Sequence, residues 1–276
     1  MNDRDDPAAR VARLFDELAD DYDQSGVAFF APIAEGLVDA LALVPGERVV
    51  DIGCGRGAVT FPAARAVGTT GAVTAVDIAP AMVELTRRRA EQSGCVQVTT
   101  ALGTADELGL HDASADVLAS SLVLFFAPDP VATLRAWLRL LVPGGRFGLA
   151  TFGTPDPVWE RVDALFRPYL PPQLLDPRTS GADGPFASDE GMVQLALACG
   201  ASSARTVRHH VPVHFPDAAA WRAFSQSTGQ RAFWRFVPED RRQRLYEEAA
   251  EVLEDARTDG GDLVLHQSLR YTLGTV

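Results

Sequence analysis

The sequence contains no lysine; all 25 of its Lys and Arg residues are arginine. A lysine nucleophile or Schiff base is therefore excluded as a catalytic device. Codon bias in a GC-rich genome is the simplest reading of the absence. Cysteine is nearly as scarce. Cys54, Cys95 and Cys199 are odd in number and none stands at metal-ligand spacing. They predict reduced thiols in a cytoplasmic protein and no metal site. No run of about 18 or more apolar residues occurs, so no membrane span is expected. The opening residues, Met1 to Asp6, lack the basic head and apolar stretch of a secretory signal. Positive charge is the minority sign, and the net charge is −12. A field of that sign repels phosphate backbones, which argues against a nucleic-acid substrate. Internal repeats and low-complexity tracts are missing as well.

What is present is enough for a full core: 276 residues, 47% of them hydrophobic. Pro7 to Leu43 reads as helical, with Val11, Leu14, Phe15, Leu18 and Ala19 in helical spacing. From Arg48 the pattern alternates. Strand-like runs at 49–52, 73–78, 96–101, 116–120 and 147–152 are separated by helical segments at 61–67, 82–90 and 134–141. Such alternation predicts a doubly wound α/β domain with a mostly parallel sheet. A proline-rich stretch at 153–187 breaks the rhythm, with one short helix near Val158 to Phe166. A helix at 189–198, a strand at 205–215, helices at 219–224 and 241–256, and a strand at 263–273 complete a seven-stranded reading. We divide the chain into an N-terminal helical cap (1–44), an α/β core (45–152) and a segment of insertion, last strands and helical lid (153–276).

One motif carries the chemistry. Val49-Val50-Asp51-Ile52 is an apolar strand ending near a carboxylate, and Gly53-Cys54-Gly55-Arg56-Gly57 follows it. Glycine lets the backbone turn sharply and lets a ligand approach the peptide groups. A helix N-terminus behind such a turn offers free N–H donors to an anion. Asp51 needs a cationic partner, and the α-amino group of a bound amino acid would serve. Asp77 ends the next strand, where a carboxylate can accept hydrogen bonds from both ribose hydroxyls of an adenosine. The same glycines also satisfy the dinucleotide fingerprint, so an NAD(P)-dependent oxidoreductase is the alternative. Against it, Asp51 would crowd a pyrophosphate. The Pro143-Gly144-Gly145 turn between helix and fifth strand is also something dinucleotide binding does not require.

The glycine turn, the acidic end of the second strand and Leu141-Val142-Pro143-Gly144-Gly145-Arg146 resemble the class I S-adenosylmethionine (SAM)-dependent methyltransferases. Within them the chain is similar to the small-molecule group that includes the ubiquinone and menaquinone C-methyltransferases. Phe15-Asp16 and Ala19-Asp20-Asp21-Tyr22-Asp23 resemble that group's opening motif, and Gly103-Thr104-Ala105-Asp106-Glu107-Leu108 its loop after the third strand. Asp116 to Leu122 resembles its fourth strand. The resemblance implies roles by position. Asp51, Gly53 and Gly55 would hold the methionine end of SAM, Asp77 the ribose, Ile78 would cover the adenine, and Met82 in the helix that follows would join the cofactor site. Thr104 and Ala105 would line the adenine edge, Ser120 would lie beneath the sulfonium, and Tyr22 would close over the cofactor. Thr104 stands where the group has an aspartate. Phe125-Phe126 stands where many relatives carry His or Glu, so no acid–base residue is inherited there.

The resemblance thus implies methyl transfer from SAM to a small apolar or aromatic metabolite, on O, N or C. A SAM-fold protein that binds without turnover is a further alternative. His209 and His210 are adjacent in a strand and face opposite ways, so with His214 they make no convergent metal site. His214, near its strand end, and Tyr22 are the candidate catalytic residues. Trp221, Phe224, Phe233, Trp234 and Phe236 read as a small helical core, as the inner face of a lid over an apolar acceptor, or as both. A monomer or homodimer is expected.

Overall fold

The computed structural model describes residues 7–104, 110–175 and 181–276. Its centre is a seven-stranded sheet in the order β3-β2-β1-β4-β5-β7-β6. The strands are β1 (Arg48–Ile52), β2 (Ala72–Asp77), β3 (Val98–Leu102), β4 (Ala115–Ser121), β5 (Leu141–Phe152), β6 (Ser203–Phe215) and β7 (Leu263–Thr275). Strands β1 to β5 pair in parallel, whereas β7 runs antiparallel to both β5 and β6. The order reverses at β1, where β2 lies on one side and β4 on the other. Ligands of open α/β sheets bind outside the strand ends at such a switch point.

The helical reading of 7–43 resolves into α1 (Pro7–Leu18) and α2 (Phe30–Leu41), with residues 19–29 running between them. The other helices are α3 (Thr60–Val67), α4 (Pro80–Gln92), α5 (Pro130–Leu138), α6 (Pro157–Phe166), α7 (Asp189–Ala198), α8 (Ala218–Gln226), α9 (Arg231–Phe236) and α10 (Glu239–Leu253). They cover both faces of the sheet. His209 on β6 stacks on Tyr271, whose hydroxyl donates to the Ile33 carbonyl of α2. The flanking side chain of Arg208 bonds Asp189 of α7. Adjacent strand residues point to opposite faces, so α2 and α7 sandwich the sheet between them.

Several boundaries differ from the sequence reading. The fifth helix stops at Leu138, and β5 already begins at Leu141. Pro143-Gly144-Gly145 is therefore a kink inside the strand, with Gly144 at φ +80° and a register shift between Ala115 and Val117 opposite it. β3 begins at Val98, beyond the exposed Val96. The short helix α9 has too few residues to show a period. Helices α6, α8, α9 and α10 gather into a cap, with α10 packed on α6 and α8. No described helix is long and apolar enough to cross a membrane.

Candidate active site

The glycine turn is bent by geometry that side chains tolerate poorly. Gly53, Gly55 and Gly57 have φ of +73°, +52° and +85°. A Cβ on Gly53 would lie 2.2 Å from the Val123 side chain. The Gly53 and Cys54 amides donate to the Val76 carbonyl at 2.8 and 2.9 Å, which fastens the turn to β2. Regular helix begins only at Thr60, so residues 53–59 form a longer non-helical turn than the motif suggests.

Asp51 sits at the root of this turn, 1% exposed. Its Oδ2 accepts from the Thr60 hydroxyl at 2.6 Å. Its Oδ1 is buried and has no partner. Burial pushes the carboxyl up to about 7, the Thr60 bond opposes the rise, and nearby Asp77 adds to it. A cationic donor is what this site lacks, and an α-ammonium group fits that need. Asp77 is also buried; Oδ2 accepts from the Gly55 amide at 2.8 Å and Oδ1 from the Ala79 amide at 2.9 Å. Its proton affinity is raised by burial and held back by those amides.

Three contacts bring the N-terminal segment to the turn. Arg56 donates to the carbonyls of Ala19 and Asp20 at 2.6 and 3.1 Å. Asp16 accepts from the Ala81 amide at 2.7 Å, in the first turn of α4. Tyr22 lies between Phe15 and Phe30, with centroids at 5.7 and 4.9 Å, and burial raises its proton affinity strongly.

Together these elements enclose a cavity of about 940 Å³. Tyr22, Asp51, Gly53, Gly55, Asp77, Ile78, Met82 and Thr104 all line it. Ala105 and Asp106 lie outside the described residues. Ser120 is not in the lining: it is buried and its hydroxyl donates to the Ile52 carbonyl at 2.8 Å, tying β4 to β1. Its neighbours Ser121 and Leu122 face the cavity instead, and Leu122 adopts φ +61° at the strand end. His214 is not in the lining either. It is exposed, on the face opposite buried Val213 and Phe215, with Asp262 3.7 Å away.

Several lining and supporting groups escaped the sequence reading. Thr60 and Thr86 are ordinary helix residues by pattern, yet Thr60 holds Asp51 and Thr86 donates to the Gly55 carbonyl at 2.7 Å. Asp23, at φ +56°, faces the cavity; burial pushes it up to about 6 against the pull of Arg56 and Arg89. The only available signal was its place beside Tyr22 in the opening motif.

A second cavity, of about 840 Å³, shares Phe15, Tyr22, Phe30, Leu122 and Phe126 with the first. Phe224, Phe233 and Phe236 reach it from the cap, while Trp221 and Trp234 are buried in the cap's own core. The late aromatic cluster is thus divided between a cavity wall and a buried core. Among the described residues, no three His, Cys, Asp or Glu side chains are grouped so as to hold a metal ion.

Residues 49–145 match the family model described as "Methyltransferase domain". The chain is 34% identical over 273 residues to nocamycin O-methyltransferase of Saccharothrix syringae, covering 95% of this chain and 96% of that one. It is 39% identical over 167 residues to the aklanonic acid methyltransferase DauC of Streptomyces sp. strain C5, covering 60% of this chain and 76% of the relative. The fold resembles the crystal structure of YcgJ from Bacillus subtilis, with a TM-score of 0.59 at 18% identity, over 88% of this chain and 97% of that chain. The oxidoreductase alternative falls with these matches, and the orphaned Asp51 oxygen agrees with them. The chain belongs to the SAM-dependent methyltransferases.

Proposed function

We propose that this enzyme methylates a small, largely apolar or aromatic metabolite held in the second cavity. The observation that carries the reading is the shared wall: Tyr22, Leu122 and Phe126 line both the cavity that holds Asp51 and Asp77 and a second one walled mainly by aromatic rings. The polar cavity suits SAM. Asp51 would pair with its ammonium group, the glycine turn would carry its carboxylate, and Asp77 would accept from its ribose hydroxyls. Ile78, Met82 and Thr104 would flank its adenine. Residues 1–44 and the cap within 153–276 would cover the core of 45–152.

Bound SAM supplies an electrophilic methyl on a sulfonium. The chain's own residues then have three tasks: to hold the acceptor in line, to exclude water and to leave the acceptor atom free. Positioning of this kind removes on the order of 7–11 kcal/mol from a bimolecular barrier. The aromatic wall excludes water, which strengthens every charge interaction inside. His214 points away from both cavities and is set aside as a base. Tyr22 lines both, but its raised proton affinity keeps the phenol neutral, so its part is that of a wall and hydrogen-bond donor. The nocamycin and aklanonic acid relatives support a specialised-metabolite acceptor. Three unpaired thiols agree with a reducing compartment.

The test is a product screen with SAM across polyketide, quinone and amine metabolites, read by mass spectrometry for a gain of one methyl. Methylation of a polycyclic or quinone acceptor is the expected result. Tight binding of S-adenosylhomocysteine (SAH) with no methylated product in any class would favour a protein that binds without turnover.

A further inference from the structure

The aromatic cavity contains polar groups that the methyl-transfer reading leaves unused. Its walls include Phe29, Phe125, Phe152, Trp159 and Phe224. Asp163 of α6 and Gln230, the residue preceding α9, both line this apolar space. The Gln230 side-chain amide donates to Asp163 Oδ1, across 67 residues of sequence. The fold, not local chain geometry, brings them together. That bond uses one of the two Gln230 amide hydrogens and leaves its Oε1 buried with no hydrogen-bond partner. Buried polar atoms are nearly always paired, because an unpaired one forfeits its bonds to water. An amide oxygen can only accept, so the missing partner is a donor.

We propose that Asp163 and Gln230 form the polar anchor of the acceptor site, receiving a hydroxyl group on a flat and otherwise apolar ring system. The proposal rests on the reading that the second cavity takes the acceptor. An aromatic slot provides surface for a ring but no orientation. One fixed pair of acceptor atoms sets which edge of the ring turns toward Tyr22 and the cofactor cavity. Burial pushes Asp163 up to about 7, the Gln230 bond and Arg167 oppose the rise, and Glu160 adds to it. A hydroxyl can donate to the Gln230 oxygen whichever state the carboxyl is in. Asp163 and Gln230 are positioning residues here, and no proton transfer is asked of them.

The probes are 2-hydroxyanthraquinone and anthraquinone, titrated by calorimetry into the SAH-saturated full chain. The wild type is expected to prefer the hydroxylated ring by about tenfold, the scale of one net hydrogen bond. Gln230→Met and Asp163→Leu should each remove most of that preference while leaving affinity for anthraquinone and SAH intact. A preference that survives both substitutions overturns the proposal. So does an equal loss of both probes in variants that still bind SAH, because that marks a merely structural pair. If SAH binds but neither ring does, the aromatic-acceptor reading fails and the anchor with it. If both rings bind equally to the wild type, the anchor alone fails.

Discussion

Asp77 holds the glycine turn directly: its Oδ2 accepts from the Gly55 amide at 2.8 Å. The residue proposed to grip the ribose is thus also a brace for the backbone that receives the amino-acid end. Each carboxylate oxygen has two acceptor sites, so accepting from Gly55 and Ala79 leaves capacity for ligand hydroxyls.

Asp77→Ala should therefore act twice. It should weaken SAH binding by about 1.5–3 kcal/mol, the scale of hydrogen bonds to a charged group, and it should lower the thermal midpoint. Isothermal titration and a thermal melt of the same variant separate the effects. A lowered midpoint with unchanged affinity would leave Asp77 a brace and nothing more.

The buried Asp51 predicts a pH dependence of cofactor binding. Its proton affinity is raised to about 7, so below that pH the free protein holds a proton there. Pairing with an ammonium group requires the ionised form, so binding below pH 7 must release a proton. Affinity should rise with pH toward about 7 and then level off. Calorimetry in buffers of different ionisation heats measures the proton count. Asp51→Asn should bind more weakly and lose this dependence. Asp23, raised to about 6 in the same cavity, is the control: Asp23→Asn should keep the release centred near 7.

The sign is reversed for folding without ligand. A carboxyl whose proton affinity is raised on folding favours the folded state most at low pH. That contribution fades as pH climbs from about 4, where the unfolded group ionises, through about 7, where the folded one does. Cofactor-free Asp51→Asn should show a flatter thermal midpoint than the wild type between pH 5 and 8. A midpoint profile identical to the wild type's would show that Asp51 does not titrate in this window.

These predictions use residues that pattern reading found with differing ease. Asp51 and Asp77 were legible because each is a carboxylate within a short apolar strand buried on both faces, where charge is rare. The glycine turn was legible because φ > 0 leaves few residue choices. The inward bond of Ser120 to Ile52 was not legible, because a small polar residue at a strand end looks the same whether it faces ligand or bonds a neighbouring strand. The exposed placement of His214 was not legible either, because nearness to a strand end says nothing about which face the side chain takes. Thr60, Gln230 and Asp163 were invisible for another reason. Their partners lie on other elements, and pairing across the fold leaves no local periodicity. The seven strands and the order of helices followed from alternation, whereas the kink at Gly144 depended on the chain's last strand bonding back to it: the Gly144 amide donates to the Val276 carbonyl at 3.0 Å.

Gly53 gives a steric test. A Cβ there would lie 2.2 Å from Val123, and the φ of +73° adds backbone strain. Gly53→Ala should destabilise the fold by about 1–3 kcal/mol and weaken SAH binding. Adding Val123→Ala should recover the part due to the clash and leave the part due to φ. Chemical denaturation of the single and double variants measures both portions. No recovery in the double variant would mean that the backbone conformation, not Val123, sets the requirement for glycine.

Arg56 tests whether the N-terminal segment closes the cofactor cavity. Its guanidinium bonds the carbonyls of Ala19 and Asp20 at the end of α1. Other ties on this segment among the described residues are the Ala81 amide to Asp16 at 2.7 Å, the Asp23 amide to the Ser227 carbonyl at 3.1 Å, and exposed ion pairs of Asp21 with Arg231 and of Glu17 with Arg235, both at 2.7 Å. Exposed pairs are worth roughly 0–1 kcal/mol each, so they cannot hold the segment alone. Arg56→Ala should therefore open residues 19–29 to protease ahead of the core, since local opening tracks the number of ties that remain. It should also raise the SAH dissociation rate, because Tyr22 rides on the same segment. Saturating SAH should restore protection in the wild type more fully than in the variant. If cleavage and SAH release both match the wild type, the segment is held by its packing of Phe15 and Tyr22, and Arg56 contributes only to the turn.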